Sequence, residues 1–288
     1  MATIIEGKQI AASISKNVIE EVSLLKRKGI MPKLSVILVG NDPASVVYAR
    51  SKEKACVKAG IDFEMYALAG DIPEDELLAL IRRLNLNQNV HGIMIELPLP
   101  KRMNKQKAFE AIWPVKDVDG VHPVNRGHLF SSGDGLFPAT PQSCIELLRQ
   151  SGIGLAGKHA VLVGRGETVG KPLIFMLLSE NATVTICHTG TKDLGLYTNQ
   201  ADVLIVAAGK AGLITADLVR PGAVIIDAGI NEKPGGGICG DVDFDNVCMV
   251  AGAISPVPGG VGSLTTVMLQ KNLLKAIRLQ KSLHNGSL

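Results

Sequence analysis

The 288-residue chain is poor in aromatics: one Trp, three Tyr and six Phe make up 3% of it. Its core must then rest on Ile, Leu, Val and Ala, the residues of parallel strands buried on both faces. A dominant charge is missing too. Thirty Lys and Arg against 27 Asp and Glu leave a net charge of +3. No basic cluster alternates with aromatics, so the footprint of a nucleic-acid binder is absent. No apolar run approaches the ~20 residues of a membrane span, and the opening Met1-Ala-Thr-Ile-Ile-Glu-Gly-Lys8 has no signal-peptide pattern. Cys56, Cys144, Cys187, Cys239 and Cys248 are scattered, odd in number and never in a CxxC pair. Reduced thiols in a cytoplasmic protein are expected, rather than disulfides or zinc, and the six histidines lack metal-ligand spacing.

What the chain does have is Val161-Leu-Val-Gly-Arg-Gly-Glu-Thr-Val-Gly170. An apolar run breaks at Gly164, and helix-compatible residues resume from Thr168. A strand, a glycine turn and a helix start would aim free backbone N–H groups at an anionic diphosphate. The spacing GxGxxxG (Gly164, Gly166, Gly170) is looser than the dinucleotide fingerprint, and a plain turn is its competing reading. Ala182-Thr-Val-Thr-Ile-Cys187 reads as the next strand and completes a βαβ unit. A cofactor with a free ribose 2′-OH usually meets an acid about twenty residues past the glycines. Here Cys187-His188-Thr189-Gly190-Thr191-Lys192 has none before Asp193. Arg165, His188 and two hydroxyls suit a 2′-phosphate instead, so NADP is expected over NAD.

Lys8 to Lys28 has helical spacing, with Ile10, Ile14, Val18, Val22 and Leu25 on one face and Gly29 as a stop. Leu34–Gly40 is a buried-strand run. Asp42 then caps a helix with Pro43 at its first position. Ile61–Leu68 reads as a strand, Pro73–Leu84 as an amphipathic helix, and Gly92–Pro100 as a third strand closed by a proline pair. Three β–α alternations imply a parallel sheet. Lys116–Pro123 reads as an irregular polar connection, and a helix opens at Pro138 and reaches Gln150. Beyond the glycine turn, Ala201–Gly209 and Ala223–Ile230 are strands ending in glycines, where ligands sit in open α/β sheets. Ser255-Pro-Val-Pro-Gly-Gly-Val-Gly262 is a rigid loop before a last helix from Leu264. The expected fold is two-domain α/β.

Seven short motifs occur in order: Tyr48-xxx-Lys52, Leu97-Pro-Leu-Pro100, Lys116-Asp-Val-Asp-Gly120, Gly164-Arg165, Asp227-Ala-Gly-Ile-Asn231, Gly240-Asp-Val-Asp243 and Pro256-Val-Pro-Gly-Gly-Val-Gly262. Together they resemble the bacterial methylenetetrahydrofolate dehydrogenase/cyclohydrolase family over nearly the whole chain. The resemblance implies oxidation of 5,10-methylenetetrahydrofolate by NADP⁺, then hydrolysis of the methenyl cation to 10-formyltetrahydrofolate, in one-carbon metabolism. It implies a homodimer, and a Rossmann NADP-binding domain (141–263) inserted into a folate-binding α/β domain (1–140, completed by the helix 264–288), with a cleft between them holding both ligands.

It also implies roles. Tyr48 and Lys52, four apart, share a helix face: Tyr48 offers a ring to folate and a hydroxyl to order Lys52, and Lys52 transfers protons. By itself that helix reads as a solvated face, with Arg50, Lys54 and Lys58 beside Lys52. Asp119 would grip the pterin edge bidentately; without the family it is a turn residue, and Asp117 is its competitor. Pro258, Gly259 and Gly260 would approach substrate, or form a hinge. Gly164, Arg165, Gly166, His188, Thr189 and Ile230 would hold the cofactor. No metal is implied.

The chain departs from the family at Glu96, where Gln is usual. A carboxylate beside Lys52 would favour its ammonium form and make it a poorer base, so an alternative is a dehydrogenase with weakened cyclohydrolase. A protonated Glu96 imitating Gln is the competing reading. Gly166 stands for Ser, Thr189 for Ser, Ala139 for Cys, Ser143 for Gly and Ser263 for Pro. A non-catalytic folate or nucleotide sensor is a third reading, against which Tyr48, Lys52 and Asp119 count.

Overall fold

The computed structural model describes residues 1–233 and 235–285. Two compact units divide the chain: Met1–Ser13 with Ala139–Met268, and Ile14–Pro138 with the chain from Leu269 onward. In order, the first half holds β1 (Thr3–Ile4), α1 (Gly7–Arg27), β2 (Lys33–Val39), α2 (Pro43–Lys58), β3 (Asp62–Leu68), α3 (Glu74–Leu86), β4 (Gly92–Ile95), α4 (Lys105–Ala111) and α5 (Pro123–Phe130). The second half holds α6 (Ala139–Gln150), β5 (His159–Val163), α7 (Gly170–Ser179), β6 (Thr183–Cys187), α8 (Gly195–Thr198), β7 (Val203–Val206), β8 (Val224–Asp227), β9 (Asn231–Glu232), β10 (Ile238–Cys239), α9 (Phe244–Val247), β11 (Ala253–Ile254) and α10 (Thr265–Asn285).

The unit that begins at Ile14 is built on a parallel sheet of order β3-β2-β4. Alternation along β2 sends Ile37 and Val39 to one face, where Leu77, Leu80, Ile81 and Leu84 of α3 meet them at helical spacing. Phe109 and Ile112, on and just after α4, extend that core. Each such side chain withdrawn from water contributes about 1.5–3 kcal/mol. On the other face Leu34 and Leu273 of α10 crowd Gly92, where a Cβ would stand 2.8 Å from Leu273. The expected strand from Gly92 to Pro100 stops at Ile95, because Pro98 and Pro100 have no N–H for a ladder. Sequence reading missed α4 and α5, although both carry caps: Asn104 accepts from Lys107 N–H, and His122 accepts from Val124 N–H ahead of Pro123.

The other unit carries a parallel sheet of order β1-β11-β8-β7-β5-β6. Val161, Val163, Leu204, Val206, Ile225 and Ile254 share one core, while Leu162, Ile205 and Ile226 are fully buried too. The first thirteen residues, expected in the folate domain, fall in this unit, because β1 pairs in parallel with β11. α10 likewise begins in this unit and continues in the other. The helix after the glycine turn starts at Gly170.

Lys116 shows how the smaller sheet's surroundings are fixed. It is buried, and its Nζ donates to the carbonyls of Leu84, Asn85 and Asn87 at 3.2, 2.7 and 2.8 Å. These carbonyls belong to the C-terminal turn of α3 and the residue just past it, where helical partners run out. Burial pulls the Lys116 ammonium down to about 8. Lys116→Met should leave the three carbonyls without their donor and destabilise the protein by about 2–4 kcal/mol, measured by urea denaturation at pH 7.

Candidate functional site

In each of the two parallel sheets one strand lies between the two strands that follow it in sequence: β2 between β3 and β4, β5 between β6 and β7. The connections from such a strand leave toward opposite sides, and a crevice opens beyond the carboxyl ends of the strands at that reversal. Both candidate sites lie at these positions.

Beyond β5 and β7 is a cavity of about 470 Å³, lined among others by Gly164, Arg165, Gly166, His188, Thr189 and Lys210. Gly164 has φ +125°, and a Cβ there would fall 2.1 Å from the Ala207 carbonyl. Gly170 lets the α7 start approach this turn, since a Cβ would meet Arg165 Cα at 2.7 Å. The N–H groups of Arg165 and Gly166 donate to no protein acceptor among the described residues. Nothing lies within 4 Å of a Cβ at Gly166, so the missing hydroxyl is not a steric demand. His188 Nδ1 accepts from Gly190 N–H at 3.0 Å, which leaves Nε2 as a donor. Thr191 Oγ1 accepts from His188 N–H at 2.9 Å. The lining holds Arg165, His188 and Lys210 and no carboxylate. Asp193, the first acid after β6, accepts instead from Leu196 N–H at the start of α8.

Beyond β2 and β4 a second group converges. Asp42 caps α2 by accepting from Ser45 N–H at 2.9 Å, and Ser45 Oγ donates to the Leu97 carbonyl at 2.8 Å, tying α2 to the β4 loop. Glu96 N–H donates to Ile37 O at 2.9 Å and so holds the end of that strand. From there the Glu96 carboxylate meets Lys52 Nζ at 2.6 Å, with side chains 6% and 17% exposed. Such a buried pair is costly to break from one side. Tyr48, one turn before Lys52, is half-exposed.

The Lys116–Gly120 motif divides its labour. Asp117 is fully buried and accepts from Val121 N–H, His122 N–H and Asn125 Nδ2. A bridge to Ile93 sets this segment beside β4. Asn272 of α10 donates to Val118 O and Phe137 O, both at 2.7 Å, and Gly120, at φ +66°, nests against Phe137. Between these anchors stands Asp119, whose carboxyl has no hydrogen-bond donor among the described residues. Burial lifts its pKa to about 7, the Asp117 carboxylate adding to the rise, Lys52 opposing it and Glu96 supporting it.

A family model described as tetrahydrofolate dehydrogenase/cyclohydrolase, catalytic domain, matches residues 5–119, and its companion, the NAD(P)-binding domain, matches residues 138–281. The chain belongs to this family. The bifunctional protein FolD of Pelotomaculum thermopropionicum is 65% identical over 280 residues, which cover 97% of this chain and 99% of that one. A FolD crystal structure from Campylobacter jejuni superposes with a TM-score of 0.95 at 46% identity, over 97% of this chain and all of that one. The Trypanosoma brucei enzyme, solved with NADP cofactor and inhibitor, gives 0.92 at 37% identity over 97% and 98% of the two chains.

The residues expected from this family are brought together in part. Lys52 and Glu96 are in contact, and Asp119 is near enough to feel both charges. Tyr48 was expected to order Lys52; its hydroxyl makes no hydrogen bond among the described residues, and Glu96 is the group that holds the lysine. Gly164, Arg165, Gly166, His188 and Thr189 share one cavity, but Ile230 is exposed and does not line it. Pro258, Gly259 and Gly260 form a loop tied to the start of α1, through Gly7 N–H to Gly259 O at 2.8 Å. Val257–Pro258 and Leu97–Pro98 are cis. Ser263 N–H donates to Gly260 O, a bond the family's usual proline lacks, and Ser143 Oγ is satisfied by Ala139 O. Lys210 was missed, though the strand end at Gly209 that precedes it was a signal. All five cysteines are free, and no metal-binding cluster exists among the described residues. No described helix is long and apolar enough to cross a membrane.

A carboxyl raised from 3.8 to about 7 makes the folded chain bind an extra proton between those limits, so its contribution falls as pH rises through that window. Asp119→Asn should remove this slope. Thermal melts from pH 4 to pH 8 should show the variant gaining on the parent as pH rises, with the largest difference at pH 8.

Proposed function

We propose that this protein oxidises 5,10-methylenetetrahydrofolate with NADP⁺ and hydrolyses the resulting methenyl compound to 10-formyltetrahydrofolate. The observation that carries the reading is Asp119: a carboxyl with no protein donor among the described residues, within electrostatic reach of the Lys52–Glu96 pair. A free carboxyl with two oxygens accepts the paired N–H groups of a pterin edge. Half-exposed Tyr48 supplies a flat face to the aminobenzoyl part.

Hydride departure is driven by the substrate nitrogen's lone pair, so there the protein's part is positioning. The bound nicotinamide supplies the hydride acceptor. Hydrolysis needs protons moved, and Lys52 is the group for it, kept in one rotamer by Glu96 at 2.6 Å. The dehydrogenase-only alternative is not favoured, since relatives as similar as 65% are named bifunctional.

For the cofactor, the acceptor-free N–H groups of Arg165 and Gly166 fit a phosphate. Arg165, Lys210 and the His188 Nε2 donor, with no acid in the lining, favour NADP over NAD. A homodimer in a reducing, cytoplasmic setting completes the reading, with five free cysteines in its support.

Both activities can be followed in one spectrophotometric assay with methylenetetrahydrofolate and either cofactor. Lys52→Met should cut hydrolysis by about 10²–10⁴-fold and hydride transfer far less, so methenyltetrahydrofolate accumulates. Equal losses in both steps would refute the assignment. Arg165→Ala should raise the KM for NADP⁺ about tenfold, the loss of one charge-assisted contact, while the KM for NAD⁺ stays nearly constant. A parent enzyme that turns over NAD⁺ as readily as NADP⁺ would overturn the cofactor choice.

A further inference from the structure

Two further motifs, Asp227-Ala-Gly-Ile-Asn231 and Gly240-Asp-Val-Asp243, contribute no side chain to the lining of the cavity at the glycine turn. The carboxylates of Asp227 and Asp241 face inward. Asp241 has no exposed surface, and each of its oxygens takes two donors. Oδ2 accepts from Ala208 N–H at 2.6 Å and Gly209 N–H at 2.8 Å. Oδ1 accepts from Lys210 N–H at 2.9 Å and Asn231 Nδ2 at 2.8 Å. No cation pairs with this carboxylate among the described residues.

Three consecutive backbone N–H groups therefore converge on one buried side chain, and they are those of the loop that leaves β7. That loop is a wall of the cavity at the glycine turn: Ala207, Ala208 and Lys210 line it opposite Gly164. Asp241 is in turn held from behind. Asp227 Oδ1 accepts from Asp241 N–H at 3.1 Å and from Gly229 N–H at 2.9 Å, and its Oδ2 accepts from Val242 N–H at 2.9 Å. A bridge between Ile214 and Val242 anchors the same segment. Two glycines admit the carboxylates. A Cβ on Gly240 would lie 1.9 Å from Asp227 Oδ2, and one on Gly229 would lie 2.2 Å from Asp241 Cγ.

We infer that Asp241 is a positioning residue for the nucleotide: through the N–H groups of residues 208–210 it fixes the cavity wall facing the glycine turn and the placement of Lys210. The inference rests on the reading of that cavity as the nicotinamide-nucleotide site. Asn differs from Asp by one atom. Its single carbonyl oxygen can satisfy one pair of donors, while its NH₂ group faces the other pair donor to donor. Asp241→Asn therefore leaves buried N–H groups unpaired and lets the loop relax. All four donors to Asp241 come from its own unit, so the substitution acts within the nucleotide unit.

The test is titration of the purified full-length protein with NADP⁺, followed by steady-state kinetics on methylenetetrahydrofolate. Asp241→Asn is expected to raise the Kd and KM for NADP⁺ at least tenfold, to leave the KM for the folate within twofold, and to recover most of kcat at saturating NADP⁺. Asn231→Ala, which removes one donor of four from the same carboxylate, is expected to move the NADP⁺ KM in the same direction by two- to fourfold. A merely structural role predicts another pattern: activity lost in proportion to folded protein, with both KM values those of the parent. That pattern in Asp241→Asn overturns the inference. If Asp241→Asn does not fold, an Asn231→Ala enzyme with parental NADP⁺ affinity overturns it as well. A parent protein that binds neither NADP⁺ nor NAD⁺ sinks the nucleotide reading itself and this inference with it.

Discussion

Parallel pairing of one strand with two neighbours, on opposite edges and out of chain order, is the constraint on which the rest depends. β2 pairs with β3 and β4, and β5 with β6 and β7. Crossovers between parallel strands are right-handed, so the two connections diverge from the central strand. The segments that leave β2 and β4, or β5 and β7, are then brought side by side without covering the strand ends. The α2 helix meets the Glu96 turn in this way, and the Gly164 turn meets the loop at Ala207. The same topological event, used twice, supplies two sites from one chain.

Both sites are then held by buried charges that address backbone rather than opposite charge. Lys116 gathers the last carbonyls of α3, Asp117 gathers N–H groups ahead of α5, and Asp241 gathers three from the β7 loop. A full charge withdrawn from water is expensive unless several hydrogen bonds replace hydration, and each of these groups has three or four. Asp119 is the exception. Its neighbours Asp117 and Lys116 are saturated, and its own carboxyl, raised to about 7, lacks a donor from the protein. A carboxyl in this state suits the pterin contact proposed for it.

Much of this was legible from residue order. The Asp42–Pro43 pair announced the start of α2, and the four-residue step from Tyr48 to Lys52 placed both on one face. The absence of an acid after β6 matched the acid-free lining of the cavity. Other features were not legible, for physical reasons. Residue type does not distinguish Asp117 from Asp119, since the difference lies in how the turn into α5 folds Val121, His122 and Asn125 back onto Asp117 alone. Lys210 is an ordinary surface lysine until Asp241, 31 residues later, fixes its backbone. The resemblance gave Tyr48 the task of ordering Lys52 from one turn away on the same helix face, yet the carboxylate of Glu96, 44 residues on, is the group in contact.

The pairing of Thr3 with Ala253 has a consequence for synthesis. The edge strand of the larger sheet leaves the ribosome some 250 residues before its partner. At translation speeds of ~5–20 residues per second, the leading segment waits roughly 12–50 s with its hydrogen-bonding groups unmatched. The larger sheet gains this edge only after every other strand of both parallel sheets has been made.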